Sequence, residues 1–417
     1  MLFWIKSVFR HPACRWFVLI ASLVFIVGFG VIGFGRGGPF GRQYDMRFLY
    51  VAGRAWLAGL NAYSPFVADQ MSYGLPETQR IYDFAYPPQI APIVMILGAF
   101  SWQRARHALI LLHFISCGAL AWWCVGLLRQ EVTHKWETLH QGMWWYVPAL
   151  VIGNPFTAEA LWMGQTSTIV GAAIVGGWYY YKRQQWLVSG FLWAIATIKP
   201  HLCILLLLWL VLERQWRILG AMVGGITILA SIPIKVSGIP GIVIDWVSAV
   251  MVYKEQPFNE LGWYGKMYLQ NAIYAISDYW TDGNGLALPN LMPLAVVFIV
   301  ALWWFRDRFL LNDILGIALA LTFSFGFGNY YDLVILVILV PLFWRHVCDS
   351  LAQTLMALFL FVGLSFAIFL PRLFDFPHVV LVLLQLRVFL ILGSASWLSY
   401  LSCKQTKYLK QNRIVRA

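Results

Sequence analysis

The sequence predicts an all-α integral membrane protein that forms a single polytopic domain over residues 1–417. Hydrophobic residues make up 60% of the chain and charged residues only 12%, with a mean hydropathy of +0.70, so there is too little polar surface for a soluble globule of this size. Long apolar runs recur along the whole chain without the alternation of barrel strands, which indicates helical spans. The excess of basic residues, +12 in total, lies mostly in short loops and in the C-terminal tail. The positive-inside rule therefore predicts that both termini are cytoplasmic, and no nucleic-acid partner is expected.

Hydropathy predicts thirteen candidate spans, beginning with a signal anchor near residues 16–34. Because both termini are expected on the same side, one candidate must fail to cross, and the short stretch 144–153 is the best choice. About twelve transmembrane helices remain, several of them shorter than the roughly 20 residues that a bilayer needs. Three larger segments are expected on the outer side: the first periplasmic loop 36–87, the segment 129–164 and a large periplasmic loop 236–289.

The first periplasmic loop contains Asp45 near its start. Apolar residues then recur at helical spacing as far as Gly59, with Arg47 and Arg54 off the apolar face, which predicts an amphipathic helix in the membrane interface. A carboxylate at the outer mouth of a membrane protein is a candidate general base. The alternative role for Asp45 is an ordinary N-cap of this helix.

Several polar motifs stand at the ends of later apolar runs. Tyr86 is followed by Pro87 and Pro88, which can begin a helix but cannot continue one, so Tyr86 is expected where the chain enters the bilayer. An aromatic-belt tyrosine is the alternative. The downstream motifs are Gly164-Gln165-Thr166-Ser167, Ile198-Lys199-Pro200-His201 and Tyr331-Asp332-Leu333.

Two lysines are candidates for binding an anionic group. Lys199 interrupts a hydrophobic hairpin, and Lys266 lies in an aromatic and glycine-rich stretch of loop 236–289. An ionisable residue at membrane depth is costly and is therefore a functional candidate. The alternatives are a snorkelling side chain for Lys199 and a solvated loop charge for Lys266. Trp263 and Tyr264 could stack on a sugar face or belong to the interfacial aromatic belt.

Motifs for metal and nucleotide binding are absent from the sequence. There is no CxxC or HExxH pattern and no GxxxxGK[ST] loop, so a zinc enzyme, an ATP-driven pump and a soluble-type nucleotide-sugar enzyme are all disfavoured. The six cysteines fall in or beside predicted spans and cytoplasmic tails, which predicts no disulfide framework. We expect neither a cofactor nor a metal ion.

Taken in order, Asp45, the amphipathic segment through Tyr63, Tyr86-Pro87-Pro88 and the three downstream motifs resemble the GT87 family of GT-C membrane glycosyltransferases. This family includes polyprenol-phosphate-mannose-dependent mannosyltransferases, and the resemblance covers most of residues 40–340. It implies a GT-C-type polytopic fold and inverting transfer of a sugar from a polyprenyl-monophosphate donor. It also implies that Asp45 is the base that accepts the proton of the attacking hydroxyl.

The expected site follows from this resemblance and from the polar motifs. The donor and its phosphate are expected to contact Lys199, Lys266, Arg54 and Tyr86. The sugar and the acceptor are expected to contact Tyr44, Gln165, Trp263, Tyr264, Tyr331 and Asp332. The site would face the periplasm from a bacterial inner membrane, among membrane lipids, with a glycolipid or glycan as acceptor.

The donor sugar stays open. Actinobacterial mannosyltransferases of the family tend to carry adjacent histidines near the outer start of a late span, where this chain has Tyr330-Tyr331-Asp332. Mannose, another hexose, a pentose or an amino sugar would all be compatible with that difference.

Two other functions compete with this interpretation. A transporter or flippase of lipid-linked sugars should have two homologous halves, and no internal repeat is found. An O-antigen-ligase-like transferase would normally use a large outer loop rich in arginine and histidine, whereas segment 236–289 contains neither.

Overall fold

The computed structural model is helical wherever it describes the chain, apart from turns and one isolated β-bridge. It describes residues 12–31, 45–73, 75, 84–129, 146–256, 259–263, 266–281, 283–347 and 377–416. Over these residues the all-α prediction is confirmed. The helices are α1 (Pro12–Phe25), α2 (Met46–Leu57), α3 (Pro65–Ser72), α4 (Ala91–Gly98), α5 (Trp102–Arg129), α6 (Pro155–Met163), α7 (Ser167–Lys182), α8 (Trp186–Ala196), α9 (Pro200–Leu212), α10 (Trp216–Leu229), α11 (Ser231–Ser237), α12 (Ile239–Lys254), α13 (Leu269–Trp280), α14 (Met292–Trp304), α15 (Leu311–Phe325), α16 (Leu339–Val347) and α17 (Pro377–Arg416).

Few of the described helices are long enough to cross a bilayer alone. Two pass a test of length and hydropathy, α5 and residues 385–407 of α17, and a third passes if α10 and α11, bent by 59°, count as one span. Most other predicted spans correspond to apolar helices of 10–17 residues. The predicted count of about twelve spans is therefore not confirmed. The candidate at 351–370 lies outside the described residues, and 146–152 of the segment 144–153 is helical.

Helix α7 lies at the centre of the described bundle. It packs against α5, α8 and the 3₁₀ segment Tyr330–Ile338, and its residues from Ser167 to Trp178 are all buried. Helix α15 is likewise buried at every position after Leu311. A helix that is apolar all round and buried on all sides is typical of the middle of a multi-helix bundle. The N-terminal end of α7 is the place where the polar motifs meet.

Helix α2 packs inside the protein. Nine of its twelve residues are buried, including Arg47, so the prediction that Arg47 lies off the packed face is wrong, while the position of α2 in the membrane interface stays a prediction. The cause of this burial is a backbone contact with α4. A Cβ atom added at Gly53 would lie 1.8 Å from the carbonyl oxygen of Val94, and one added at Gly98 would lie 2.5 Å from the backbone nitrogen of Arg54.

We predict that Gly53→Ala destabilises the protein. The added methyl group would overlap the α4 backbone, which cannot move aside by changing a side-chain rotamer. The free energy of unfolding should therefore fall by about 3 kcal/mol, the upper part of the usual range for overpacking. Gly118→Ala is the matched control, because its Cβ would meet nothing within 4 Å and alanine favours the helix. Thermal unfolding in detergent measures both. An unchanged melting temperature for Gly53→Ala would contradict the close crossing.

Candidate active site

Asp45 stands immediately before α2 and directs its carboxylate toward another helix. Its side chain makes no capping bond to the α2 backbone, and Oδ2 instead accepts a hydrogen bond from Nε2 of Gln165. Its backbone N–H donates to the carbonyl of Met163 at 3.0 Å, which ties the start of α2 to the end of α6. The N-cap alternative therefore does not describe this residue.

Burial sets the acidity of Asp45. Desolvation raises the pKa of its carboxyl from 3.8 to about 6, although the Gln165 hydrogen bond and the nearby charge of Lys199 both lower it. The charge of Asp332 adds a smaller upward push. At neutral pH the group is thus mostly a carboxylate, yet it is basic enough to take up a proton. That combination suits a general base.

Gln165 is positioned by the turn that joins α6 to α7. Helix α6 ends at Gly164, whose φ of 75° is the left-handed conformation that glycine adopts without strain. The Gln165 N–H then donates to the carbonyl of Ala160 at 2.8 Å, and its side chain projects toward Asp45. Its Oε1 accepts two hydrogen bonds, from the hydroxyl of Tyr86 and from Nζ of Lys199, both at 2.9 Å.

Lys199 lies at the start of α9, where Pro200 begins the helix. Its ammonium is buried and forms an ion pair with Oδ1 of Asp332 at 2.7 Å. It also donates to the hydroxyl of Ser167 at 3.0 Å, and that hydroxyl in turn donates to Asp332 at 2.6 Å. The carboxylate of Asp332 is fully buried, and without the Lys199 ammonium its unpaired charge would strongly destabilise the protein.

Asp332 also begins a helical segment. Its Oδ2 accepts the backbone N–H of Asn329 at 3.1 Å as part of a capping box at the start of Tyr330–Ile338. The same carboxylate therefore pairs with Lys199 and caps the start of this helical segment, and its predicted contact with the sugar or the acceptor stays a prediction. Tyr331 completes this corner, with its ring centroid 4.9 Å from Nζ of Lys199 and its hydroxyl accepting from Asn329 at 2.8 Å.

Tyr86 is held from both sides. Its carbonyl accepts the hydroxyl of Tyr63 at 2.8 Å, and its ring packs near Phe84, with 6.0 Å between centroids. Burial raises the pKa of the Tyr86 phenol well above 10, so the group stays protonated and donates to Gln165. The paired prolines thus position a hydrogen-bond donor inside the site.

Lys266 approaches the same cluster from loop 236–289. Its side chain is 1% exposed, donates to Oδ1 of Asn259 at 2.5 Å and lies 3.9 Å from the ring centroid of Phe327. An isolated antiparallel bridge joins Lys266 to Asn329, three residues before Asp332. Burial lowers the pKa of Lys266 from 10.5 to about 7, although the charge of Asp332 raises it. Lys266 is therefore a buried group and not a solvated loop charge.

The structure gives Arg54 and Trp263, two of the expected site residues, other contacts. Arg54 lies nine residues beyond Asp45, about 13 Å along α2, and its guanidinium donates to the carbonyl of Met71 at 2.9 Å. Trp263 is 39% exposed, and its carbonyl accepts the N–H of Lys266. Tyr44 and Tyr264 lie outside the described residues.

The profile of glycosyltransferase family 87 matches residues 84–325. The chain belongs to this family. The predicted GT87 resemblance is thereby confirmed, and the protein is a glycosyltransferase with the apolar helices of a membrane enzyme. Neither the curated proteins nor the solved structures contain a match to the chain. The matched segment of this glycosyltransferase includes Tyr86, Gln165, Lys199 and Lys266, whereas Asp45 and Asp332 lie outside it.

Three polar residues near the cluster, Ser167, His113 and Thr168, were given no role by the sequence analysis. Ser167 bridges Lys199 and Asp332. His113, on α5, is hydrogen-bonded through Nδ1 to the hydroxyl of Thr168 at 2.7 Å, just below the Gln165 turn. Ser167 has a visible signal, since it belongs to a motif that was singled out. A lone histidine in the long apolar helix α5 gives no such signal, because its contact comes from a distant part of the chain.

Metal ligands do not cluster in the part of this glycosyltransferase that the structure describes. No three His, Cys, Asp or Glu side chains there stand close enough to hold an ion. The expectation of a metal-independent enzyme stays a prediction. Within the described site, the positive charges next to the carboxylates are Lys199 and Lys266.

Proposed function

We propose that this glycosyltransferase moves a sugar from a polyprenyl-monophosphate donor to a lipid or glycan acceptor at the outer face of a bacterial inner membrane. One observation carries the proposal. The half-buried carboxylate of Asp45 is linked through Gln165 to Lys199, and the buried Lys266 joins the same cluster through its bridge to Asn329. A base and a buried cation are the two groups that transfer from a phosphate-linked sugar requires. A donor already activated by phosphate also accounts for the lack of a nucleotide-binding motif.

The proposed reaction is a single displacement with inversion. Asp45 accepts the proton of the acceptor hydroxyl on Oδ1, since Oδ2 is bonded to Gln165. The hydroxyl oxygen then forms a bond to the anomeric carbon from the face opposite the phosphate. The bond between that carbon and the phosphate oxygen breaks, and polyprenyl phosphate leaves with the electron pair. Base assistance of this kind is worth about 10²–10⁴ in rate.

Lys266 is the residue that we assign to the donor phosphate. Its ammonium rests on the face of Phe327 and against the neutral amide of Asn259, so burial outweighs the attraction of Asp332 and its pKa falls to about 7. An arriving phosphate would restore the charged form and gain a charge-assisted hydrogen bond. A phosphate contact by Lys199 stays a prediction. The contact of Tyr86 with the donor also stays a prediction. The same holds for the contacts of the sugar and the acceptor with Gln165, Trp263, Tyr331 and Asp332.

The test is an assay of purified protein in lipid nanodiscs with a panel of polyprenyl-phosphate sugars, including mannose, other hexoses, pentoses and amino sugars. We expect one donor class to yield free polyprenyl phosphate together with a glycosylated lipid. The Asp45→Asn variant serves as the inactive control. Movement of intact donor across vesicles without any polyprenyl phosphate would favour the flippase instead. Reaction only with a diphosphate-linked glycan would favour the ligase-like alternative.

We also predict a bell-shaped pH dependence of kcat/KM. Asp45 must be deprotonated to act as a base, so activity should rise as the pH passes its pKa of about 6. Lys266 must be protonated to bind phosphate, so activity should fall as the pH passes its pKa of about 7. The two limbs report groups of the free enzyme. A rate that is flat from pH 5 to pH 9 would contradict both assignments.

The proposed orientation has its own test. Cysteine introduced at Asp69, an exposed position of α3, should react with an impermeant thiol reagent added from the periplasmic side. Cysteine introduced at Gln184, exposed between α7 and α8, should react only after the membrane is opened, because Lys182 and Arg183 mark a cytoplasmic loop. Labelling of position 184 from outside would reverse the proposed topology.

A further inference from the structure

The ammonium group of Lys199 already has a full set of hydrogen-bond acceptors within the protein. An ammonium has three N–H donors, and three acceptors surround this one: Asp332 at 2.7 Å, Gln165 at 2.9 Å and Ser167 at 3.0 Å. The side chain is also only 6% exposed. A donor phosphate could be bound by Lys199 only if one of these hydrogen bonds were broken. The geometry favours a role within the protein.

Lys199 determines which way the Gln165 amide points. Its ammonium and the Tyr86 hydroxyl both donate to Oε1, which leaves Nε2 to donate to Asp45. Turning the amide over would place Oε1 against the Asp45 carboxylate and Nε2 against the Lys199 ammonium. Both contacts would then be repulsive. The hydrogen bond from Lys199 to Oε1 therefore fixes the orientation in which Nε2 donates to Asp45.

We propose that Lys199 is a positioning residue that acts on Asp45 through Gln165, holding the amide so that its N–H supports the ionised base. Asp332 and Ser167 hold Lys199 in the position that this relay needs. This relay, from Lys199 through Gln165 to Asp45, depends on the proposed function only where it affects the rate of sugar transfer. Its effect on the protonation of Asp45 exists whether or not the enzyme has been given a donor.

The relay makes a prediction about charge. The titratable groups that face Asp45, directly or across Asp332, are Lys199, Asp332, Tyr86, Tyr331, His201 and Lys266. Lys199 opposes both burial and the negative charge of Asp332. Removing Lys199, or the Gln165 amide that it orients, should therefore raise the pKa of Asp45 above its value of about 6.

The experiment follows the protonation of Asp45 by infrared spectroscopy of the purified protein. The carboxyl C=O band that disappears in Asp45→Asn is titrated in the wild type, in Lys199→Met and in Gln165→Met. We expect a midpoint near 6 in the wild type, and midpoints higher by about one unit or more in both variants. Lys182→Met is the matched control, because Lys182 is a half-buried lysine at the far end of α7, about 22 Å away, and should leave the midpoint unchanged.

A double variant separates a relay from two independent effects. If Lys199 acts largely through Gln165, the shift of the midpoint in Lys199→Met with Gln165→Met should be well below the sum of the two single shifts. Full additivity would overturn the relay. If Lys199→Met fails to fold because Asp332 is left unpaired, Lys199→Met combined with Asp332→Asn replaces it and is compared with Asp332→Asn alone, since neither variant leaves an unpaired buried carboxylate.

Activity provides a second and separable readout. With an active donor, Lys199→Met should move the rising limb of the pH profile of kcat/KM to higher pH, because a higher pH is then needed to ionise Asp45. An unchanged Asp45 midpoint combined with weaker binding of polyprenyl phosphate would overturn the relay and make Lys199 a phosphate ligand. A shifted midpoint in an enzyme that transfers no sugar from any donor would instead support the relay and contradict the proposed function.

Discussion

Replacing Asp45 by asparagine is expected to lower the rate of transfer by about 10²–10⁴-fold while the protein stays folded. The amide keeps the shape of the side chain, and its oxygen can still accept the hydrogen bond from Gln165. It cannot take up a proton from the acceptor hydroxyl. Turnover of a saturating donor, measured as release of polyprenyl phosphate, gives the effect on the chemical step.

The matched control is Asp69→Asn, which changes an exposed aspartate of the same predicted outer loop and should leave turnover unchanged. Binding of polyprenyl phosphate should be nearly the same in Asp45→Asn and the wild type, because the base does not contact the phosphate. If Asp45→Asn keeps more than about a tenth of the wild-type turnover, the base lies elsewhere.

Replacing Lys266 by methionine is expected to weaken donor binding by about 10- to 150-fold, which corresponds to the 1.5–3 kcal/mol of a charge-assisted hydrogen bond. Methionine fills the buried space over Phe327 without a charge, so the fold should tolerate it. Lys266→Arg should restore part of the binding and remove the fall in activity above pH 7, because arginine stays protonated. Binding of polyprenyl phosphate and the pH profile of kcat/KM measure the two effects.

Lys254→Met is the control for Lys266, since it removes an exposed lysine at the end of α12 in the same loop. It should leave binding and the pH profile unchanged. Wild-type affinity in Lys266→Met, or a basic limb that persists in Lys266→Arg, would remove Lys266 from the phosphate site.

Much of the candidate site could be predicted from local sequence. Gln165 follows a glycine that ends a helix, and Lys199 precedes a proline that begins one. Polar residues at such helix ends stand out against an apolar background, so the sequence identifies each of them individually as a candidate site residue. Their mutual contacts could not be predicted, because the ion pair between Lys199 and Asp332 joins residues 133 positions apart.

Arg54 and helix α2 mark the limit of that approach. An apolar stripe at helical spacing looks the same whether it rests on lipid or on another helix. The feature that decides between them is the contact of Gly53 with the backbone of α4, some forty residues away in the sequence. Arg54 was predicted to bind phosphate because it is a cation in the right loop, yet it holds the carbonyl of Met71.

The number of spans is a second limit. Hydropathy identifies apolar runs but does not distinguish a helix that crosses the bilayer from a shorter one supported by its neighbours. Helices α8 and α9, with 11 and 13 residues, are too short to cross alone, and the buried Lys199 lies between them. Short helices bring their polar ends to membrane depth, where a site can be lined by protein.

The most direct test of the proposed site is a structure of the Asp45→Asn variant with bound undecaprenyl phosphate, the product expected from donors of this lipid whatever their sugar. The proposal predicts a phosphate oxygen about 3 Å from Nζ of Lys266. The terminal oxygens of the phosphate, on the side away from the lipid, should face residue 45. A phosphate bound at the other end of α7, beside Lys182 and Arg183, would contradict it.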